Sequence, residues 1–460
     1  LIADDSGAAQ APIGWFGIIR LGLVQAALGA IVVMATSTIN RVMVVELALP
    51  AVVPGALVAL QYLIQVVRPR LGFGSDQGGR RAPWIVGGMA VLALGGILAA
   101  TATALMETDR LAGLALAVFA FMMIGVGVGA AGTSLLVLLA KRVAPKRRAA
   151  SASIVWVMMI AGFAVTAGTA GHFLDPFSMG RLVRVTAAVS AIAFLISLVA
   201  VWRVEGRQVS TGVTSRAAAA KSSFTETLMD VWREPKARRF AIFVFVSMLG
   251  YSAQELILEP FAGAVFSLTP GDTAKLTGMQ HAGALVGMIL VALTGSAIVG
   301  GRFGSIKAWT IGGCVGSAVG LLALGVAGFV GPAWPLLPTV FLLGGANGAF
   351  AVSAIGSMMG LAGEGRESRE GVRMGLWGAA QAVAFAIGGI VATTASDLAR
   401  TLLGAPEFAY AAVFVGEAAL FLWAARLATG VFQAAATRPM GTQSPNISLQ
   451  STAILVAGRS

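Results

Sequence analysis

The chain has 460 residues, of which 57% are hydrophobic and only 11% charged, whereas soluble domains carry about a quarter charged residues; a water-soluble protein is excluded. A bilayer crossing uses about 20 residues, so the apolar stock supplies about a dozen crossings in one polytopic unit. The net charge of +12 lies in short runs between apolar stretches, which suits orientation in a membrane rather than nucleic-acid binding, and the single cysteine, Cys314, excludes a disulfide framework or a thiolate metal cluster.

In chain order, spans are predicted near 18–44, 50–67, 83–105, 112–140, 151–173 and 184–202, and again near 240–262, 274–300, 306–329, 334–362, 373–396 and 408–433. The fold class is therefore all-α and membrane-integral, with a six-helix half over 1–202, a second over 240–434, a polar central loop over 203–239 and a tail over 435–460. A short amphipathic piece is expected within the loop, around Phe224–Trp232. Loops after even spans hold 22 Lys and Arg residues and loops after odd spans hold 5. By the positive-inside rule, both termini and the central loop face the cytoplasm. Trp15, Trp84, Trp202, Trp309 and Trp334 mark the interfacial belt.

An internal repeat supports the division into halves. Residues 82–88, APWIVGG, return at 307–313 as KAWTIGG, an offset of 225 that places Trp84, Gly87 and Gly88 on Trp309, Gly312 and Gly313. Arg148, Trp156 and Gly168 fall on Arg369, Trp377 and Gly389 at an offset of 221. Two matches at nearly equal offsets point to parallel halves related by an axis along the membrane normal.

Between spans two and three runs Gly72-Phe-Gly-Ser-Asp76-Gln-Gly-Gly79-Arg80-Arg81. Its G-x-x-x-D-x-x-G-R-R order resembles the cytoplasmic signature of the major facilitator superfamily. Glycines allow a tight turn, and the aspartate is able to meet a helix N-terminus or a neighbouring arginine, a latch that breaks as the halves rock. Gln77 replaces a usually basic residue, and the equivalent segment Gly295–Lys307 has no acid, so the latch belongs to the first half.

Ionisable groups inside spans are functional candidates because burying them is costly. They are Arg20, Arg41, Glu46, Glu255, Glu259, His281, Glu417 and Arg426. Arg20 and Arg426 lie near span ends and are expected to snorkel. Asn40, Arg41 and Glu46 at the end of span one, and Gln254, Glu255 and Glu259 at the end of span seven, predict a polar cluster at the noncytoplasmic end of a central cavity. Cargo binding, proton carriage and simple pairing with Arg41 across the two halves all remain open for it. His281, among Gly278, Gly283 and Gly287, has either of two roles: axial ligand to the magnesium of a chlorin ring, with the glycines leaving room for it, or hydrogen bonding between helices. No Walker loop, G-x-S-x-G, CxxC, H-E-x-x-H or paired aspartate-rich segment occurs, which argues against an enzyme.

The stretch Ile39-Asn40-Arg41-Val-Met-Val-Val-Glu46-Leu-Ala-Leu-Pro50, preceded by Leu21-Gly-Leu-Val-Gln25, resembles the PucC family of photosynthetic bacteria, as do Arg68-Pro-Arg-Leu-Gly72, Arg81-Ala-Pro-Trp84 and Leu258-Glu259-Pro260. The resemblance covers about residues 15–435 and is nearest to the branch sometimes labelled a bacteriochlorophyll synthase chain. It implies a major facilitator fold in a bacterial inner membrane, bacteriochlorophyll or a late precursor as bound cargo, and pigment-synthesis enzymes or light-harvesting and reaction-centre subunits as partners. A transporter of another small molecule and a non-catalytic synthase subunit are the competing readings.

Overall fold

The computed structural model describes residues 13–65, 81–144, 147–204, 229, 232–294, 305–363 and 370–436, and no strand occurs among them. Among the described residues twelve α-helices follow one another: α1 (Trp15–Glu46), α2 (Val52–Ile64), α3 (Ala82–Leu105), α4 (Arg110–Arg142), α5 (Arg148–Leu174), α6 (Met179–Val201), α7 (Pro235–Phe266), α8 (Pro270–Thr294), α9 (Ile306–Val330), α10 (Leu336–Gly363), α11 (Glu370–Leu403) and α12 (Pro406–Ala436). Eleven of them are long and apolar enough to cross a bilayer, and α2 is the shorter exception. Their starts are written in the sequence. Asp109 accepts from the backbone N–H groups of Leu111 and Ala112 at 3.1 and 3.0 Å, Ser178 from Arg181 at 3.2 Å and Ser305 from Ala308 at 3.3 Å. These caps satisfy N–H groups that the first turn leaves unpaired. Prolines at Pro83, Pro235, Pro270 and Pro406 open other helices, where a missing N–H costs nothing.

Outward faces carry Leu111, Phe173, Val199 and Leu342 fully in the open, an arrangement suited to lipid, since a helix satisfies its own backbone there. Inward faces build two cores, one largely from α1–α6 and one from α7–α12. A smaller cluster joins the halves, with Val33, Ile160 and Phe163 meeting Ala284 and Met288. The halves touch chiefly along α5 against α8 and α2 against α11.

The repeat read from the sequence has a packing counterpart. A Cβ on Gly88 would stand 2.6 Å from the backbone nitrogen of Ala131 in α4, and one on Gly313 2.6 Å from that of Phe350 in α10. Both glycines therefore let the third and fourth helices of a half touch. Trp377, the counterpart of Trp156, is buried edge-on to Phe240, with its Nε1 donating to the Ala237 carbonyl at 3.3 Å.

Three boundaries differ from expectation. α1 runs past residue 44 because its hydrogen bonding widens to the i→i+5 pattern over Met34–Ile39 and Val42–Glu46, a looser turn that is common at functional sites. The second span starts only at Val52, since Leu47–Ala51 leaves the helix with Ala48 at φ 50°. α7 begins at Pro235, which shortens the central connection at its end, and most of the piece around Phe224–Trp232 lies outside the described residues.

Candidate functional site

At the end of the bundle away from the start of α1 and the end of α12, polar side chains from both halves meet. Arg41 on α1 is 2% exposed and forms an ion pair with Glu46, whose side chain is 34% exposed. The same guanidinium donates from Nη2 to the Leu268 carbonyl of the other half at 2.7 Å. It lies flat over Gly263, where a Cβ would sit 3.0 Å from Nε. Asn40 donates from Nδ2 to the Leu256 carbonyl at 2.8 Å. Glu259 on α7 accepts from the hydroxyl of Thr277 at 2.5 Å and, more distantly, Thr273 at 3.4 Å, with Ser37 and Arg41 of the first half facing it. Spans one and seven thus do meet here. Arg41 takes its carboxylate partner from its own helix and a backbone carbonyl from across the divide.

Two further contacts close the same end. Asp175, at the end of α5, accepts from Lys275 Nζ at 3.0 Å and from the Thr269 hydroxyl at 3.0 Å. Lys275 also binds Asp272 at 3.1 Å, and Asp175 sits directly on Gly271, where any side chain would collide with the carboxylate. On the opposite side, Asp397 of α11 accepts from the backbone N–H groups of Ala51 and Val52 at 2.9 and 2.8 Å. It caps α2 from the other half, and Ala51 has no side chain able to do so. Thr269, Asp272 and Asp397 carry no sequence signal of this role, because each reads as an ordinary helix-end residue.

The remaining candidates are placed as follows. Gln254 is fully buried inside the second half, accepting from Asn347 Nδ2 at 3.0 Å while Asn347 accepts from Ser317 at 2.6 Å. Glu255 separates from Glu259 although the two are one turn apart. It is half-buried, the Tyr251 hydroxyl is directed at it, and Tyr251 in turn packs on Phe385 of α11, which packs on Tyr62 of α2. His281 is 3% exposed on α8, with its ring 4.9 Å from that of Phe163 on α5. The room expected beside it is taken by neighbouring helices: Gly278 abuts Gly168, Gly283 abuts Phe341 and Gly287 abuts Gly345. Arg20 does more than snorkel, donating to the carbonyls of Val199 and Trp202 at the end of α6. Arg426 is exposed. Glu417 is 3% exposed, and neither carboxylate oxygen has a hydrogen-bond partner. Arg81 is buried at the start of α3, while Gly72, Asp76, Gly79 and Arg80 lie outside the described residues. Among the described residues no three His, Cys, Asp or Glu side chains gather as a metal site, and Cys314 is a buried thiol.

Comparison with known proteins gives this geometry a context. A family model described as PUCC protein matches residues 38–436. The bacteriochlorophyll synthase 44.5 kDa chain of Rhodobacter capsulatus is 52% identical over 92% of this chain and 96% of its own length. Protein PucC of Cereibacter sphaeroides is 31% identical over 91% of this chain and 92% of its own. Among solved structures, a bacterial homolog of the human lysosomal transporter Spinster, inward-facing and unoccupied, superposes with a TM-score of 0.67 at 14% identity, covering 91% of this chain and 96% of that one. The nucleoside transporter NupG (D323A mutant) superposes at 0.64 and 14%, over 90% and 100%. These two likenesses establish the fold, an all-helical membrane architecture shared with both transporters. With the family match running nearly end to end, the chain is a member of the PucC family.

Proposed function

We propose that the protein is a non-enzymatic carrier of bacteriochlorophyll, or of a late precursor, in a bacterial photosynthetic membrane, with both termini cytoplasmic. It delivers pigment to synthesis enzymes or to light-harvesting and reaction-centre subunits. The observation that carries the carrier reading is the closure at one end. Each contact across it, Arg41 to Leu268, Asp175 to Lys275 and Asp397 to Ala51 and Val52, joins one half to the other. Such contacts are individually breakable, and rigid halves that rock about them expose a central site to alternate sides. The name of one relative, the bacteriochlorophyll synthase 44.5 kDa chain, supplies the cargo class. An apolar macrocycle with a prenyl tail partitions out of water and needs a carrier surface inside the bilayer.

Purification from pigment-replete membranes tests the reading. Chlorin absorption in a near-molar ratio to the chain is the expected result. A folded, colourless protein that instead binds a polar metabolite would move the assignment to a transporter of another small molecule, and a purified complex that forms product only with this chain present would move it to a synthase subunit.

A further inference from the structure

Of the inner carboxylates, Glu255 stands apart. Glu46 has Arg41, Glu259 has two threonine hydroxyls with Arg41 nearby, and Glu417 is buried at 3% exposure. Glu255 is half-buried, and among the described residues it has no basic partner. In a low-dielectric interior without a compensating cation, a carboxyl group either takes a proton or gains from an electropositive centre brought to it.

Its surroundings say what kind of centre. Tyr251 precedes it by one turn on the same face of α7. The Tyr251 ring lies 6.0 Å from that of Phe385 at 51°, and Phe385 lies 5.0 Å from Tyr62 at 53°. The three rings come from α7, α11 and α2, hence from both halves, and all three are half-buried. Tilted rather than stacked on one another, they are of the kind that a flat conjugated guest meets in offset or edge contacts. A hard divalent ion prefers oxygen ligands, carboxylates above all for magnesium.

We propose that Tyr62, Tyr251, Phe385 and Glu255 form the subsite that receives the ring of a magnesium-bearing tetrapyrrole, with Glu255 offering an oxygen to the metal and the aromatic rings holding the macrocycle. This rests on the carrier reading and moves the metal-facing group from His281 to Glu255. His281 is packed against Phe163 and flanked by glycines already used in helix contacts. Because the rings belong to two halves, the subsite is assembled only while α2 lies against α11, so ring binding and the arrangement of the halves are linked.

The test titrates the full chain in detergent with magnesium bacteriochlorophyll and with its metal-free counterpart, following chlorin absorption and tryptophan quenching. The wild type should bind the magnesium form about tenfold more tightly. Glu255→Gln, nearly isosteric, should erase that preference and leave metal-free binding unchanged. Tyr251→Phe should reduce the preference in part, and Phe385→Leu should weaken both forms alike. His281→Leu should keep the wild-type preference. A folded Glu255→Gln protein that retains the tenfold preference, or a His281→Leu protein that loses it, would overturn the assignment while leaving the carrier reading intact. Wild-type protein that binds neither form defeats the carrier reading itself.

Discussion

Arg41→Met keeps bulk at the closure and removes the guanidinium. Three things go at once: the ion pair with Glu46, the donor to the Leu268 carbonyl, and the positive charge facing Glu259. Removing one partner of a buried pair costs about 3–5 kcal/mol. Glu46 retains 34% exposure, so water recovers part of the loss, and about 2–3 kcal/mol is left against the closed end. At 1.4 kcal/mol per factor of ten, the closed-to-open ratio falls about 30- to 150-fold. A population closed at 99:1 drops to roughly 77% closed at the lower figure. Spin labels at Thr108 and Ala333, exposed positions at that end of the two halves, in a chain with Cys314 replaced by alanine, read the change as a second, longer distance. An unchanged single distance in a folded Arg41→Met protein would refute the closure as described.

Asp397→Ala deletes the cap on α2 and should lower Tm by the equivalent of about 1 kcal/mol, measured by thermal unfolding in detergent; an unaltered Tm would mean that water caps Ala51 and Val52 equally well. Gly278→Leu puts a side chain where even a Cβ stands 2.7 Å from the Gly168 backbone; α5 and α8 should separate, with a marked loss of monodisperse protein on size exclusion, and a normal elution profile would contradict that packing. For topology, a cysteine at Glu107 should react with an impermeant reagent on intact cells and one at Ser215 should not, the reverse pattern overturning the orientation.

Hydropathy was sufficient for the all-helical membrane fold and for placing its apolar helices, of which α2 is too short to meet the length of a full crossing, because it depends on composition over some 20 residues at a time. The glycine-tryptophan repeat was legible for a similar reason: Gly88 and Gly313 do the same local job. The closure was only half legible. Asn40, Arg41, Glu46 and Glu259 announce themselves as charged or polar groups in apolar runs. Asp397 pairs with backbone N–H groups 346 and 345 residues away, and a backbone partner leaves no mark in sequence. Glu255 and Glu259 share a helix face by spacing, yet α7 passes from the closure to the aromatic cluster between them, so their surroundings diverge. At His281 the glycines were expected to leave space. They are helix contacts instead, and the spacing of small residues fits either use.

Holding the closure shut tests whether cargo handling requires the two halves to move about it. Cysteines replacing Asp175 and Lys275, joined by a short bifunctional thiol reagent, would tether α5 to α8 where the native pair stands 3.0 Å apart. Transfer of bound magnesium chlorin from proteoliposomes to acceptor vesicles is then followed by absorption before tethering, after it, and after cleavage of a reducible tether. The account predicts transfer that stalls when the tether is made and resumes when it is cut; transfer at the same rate in all three states would contradict it.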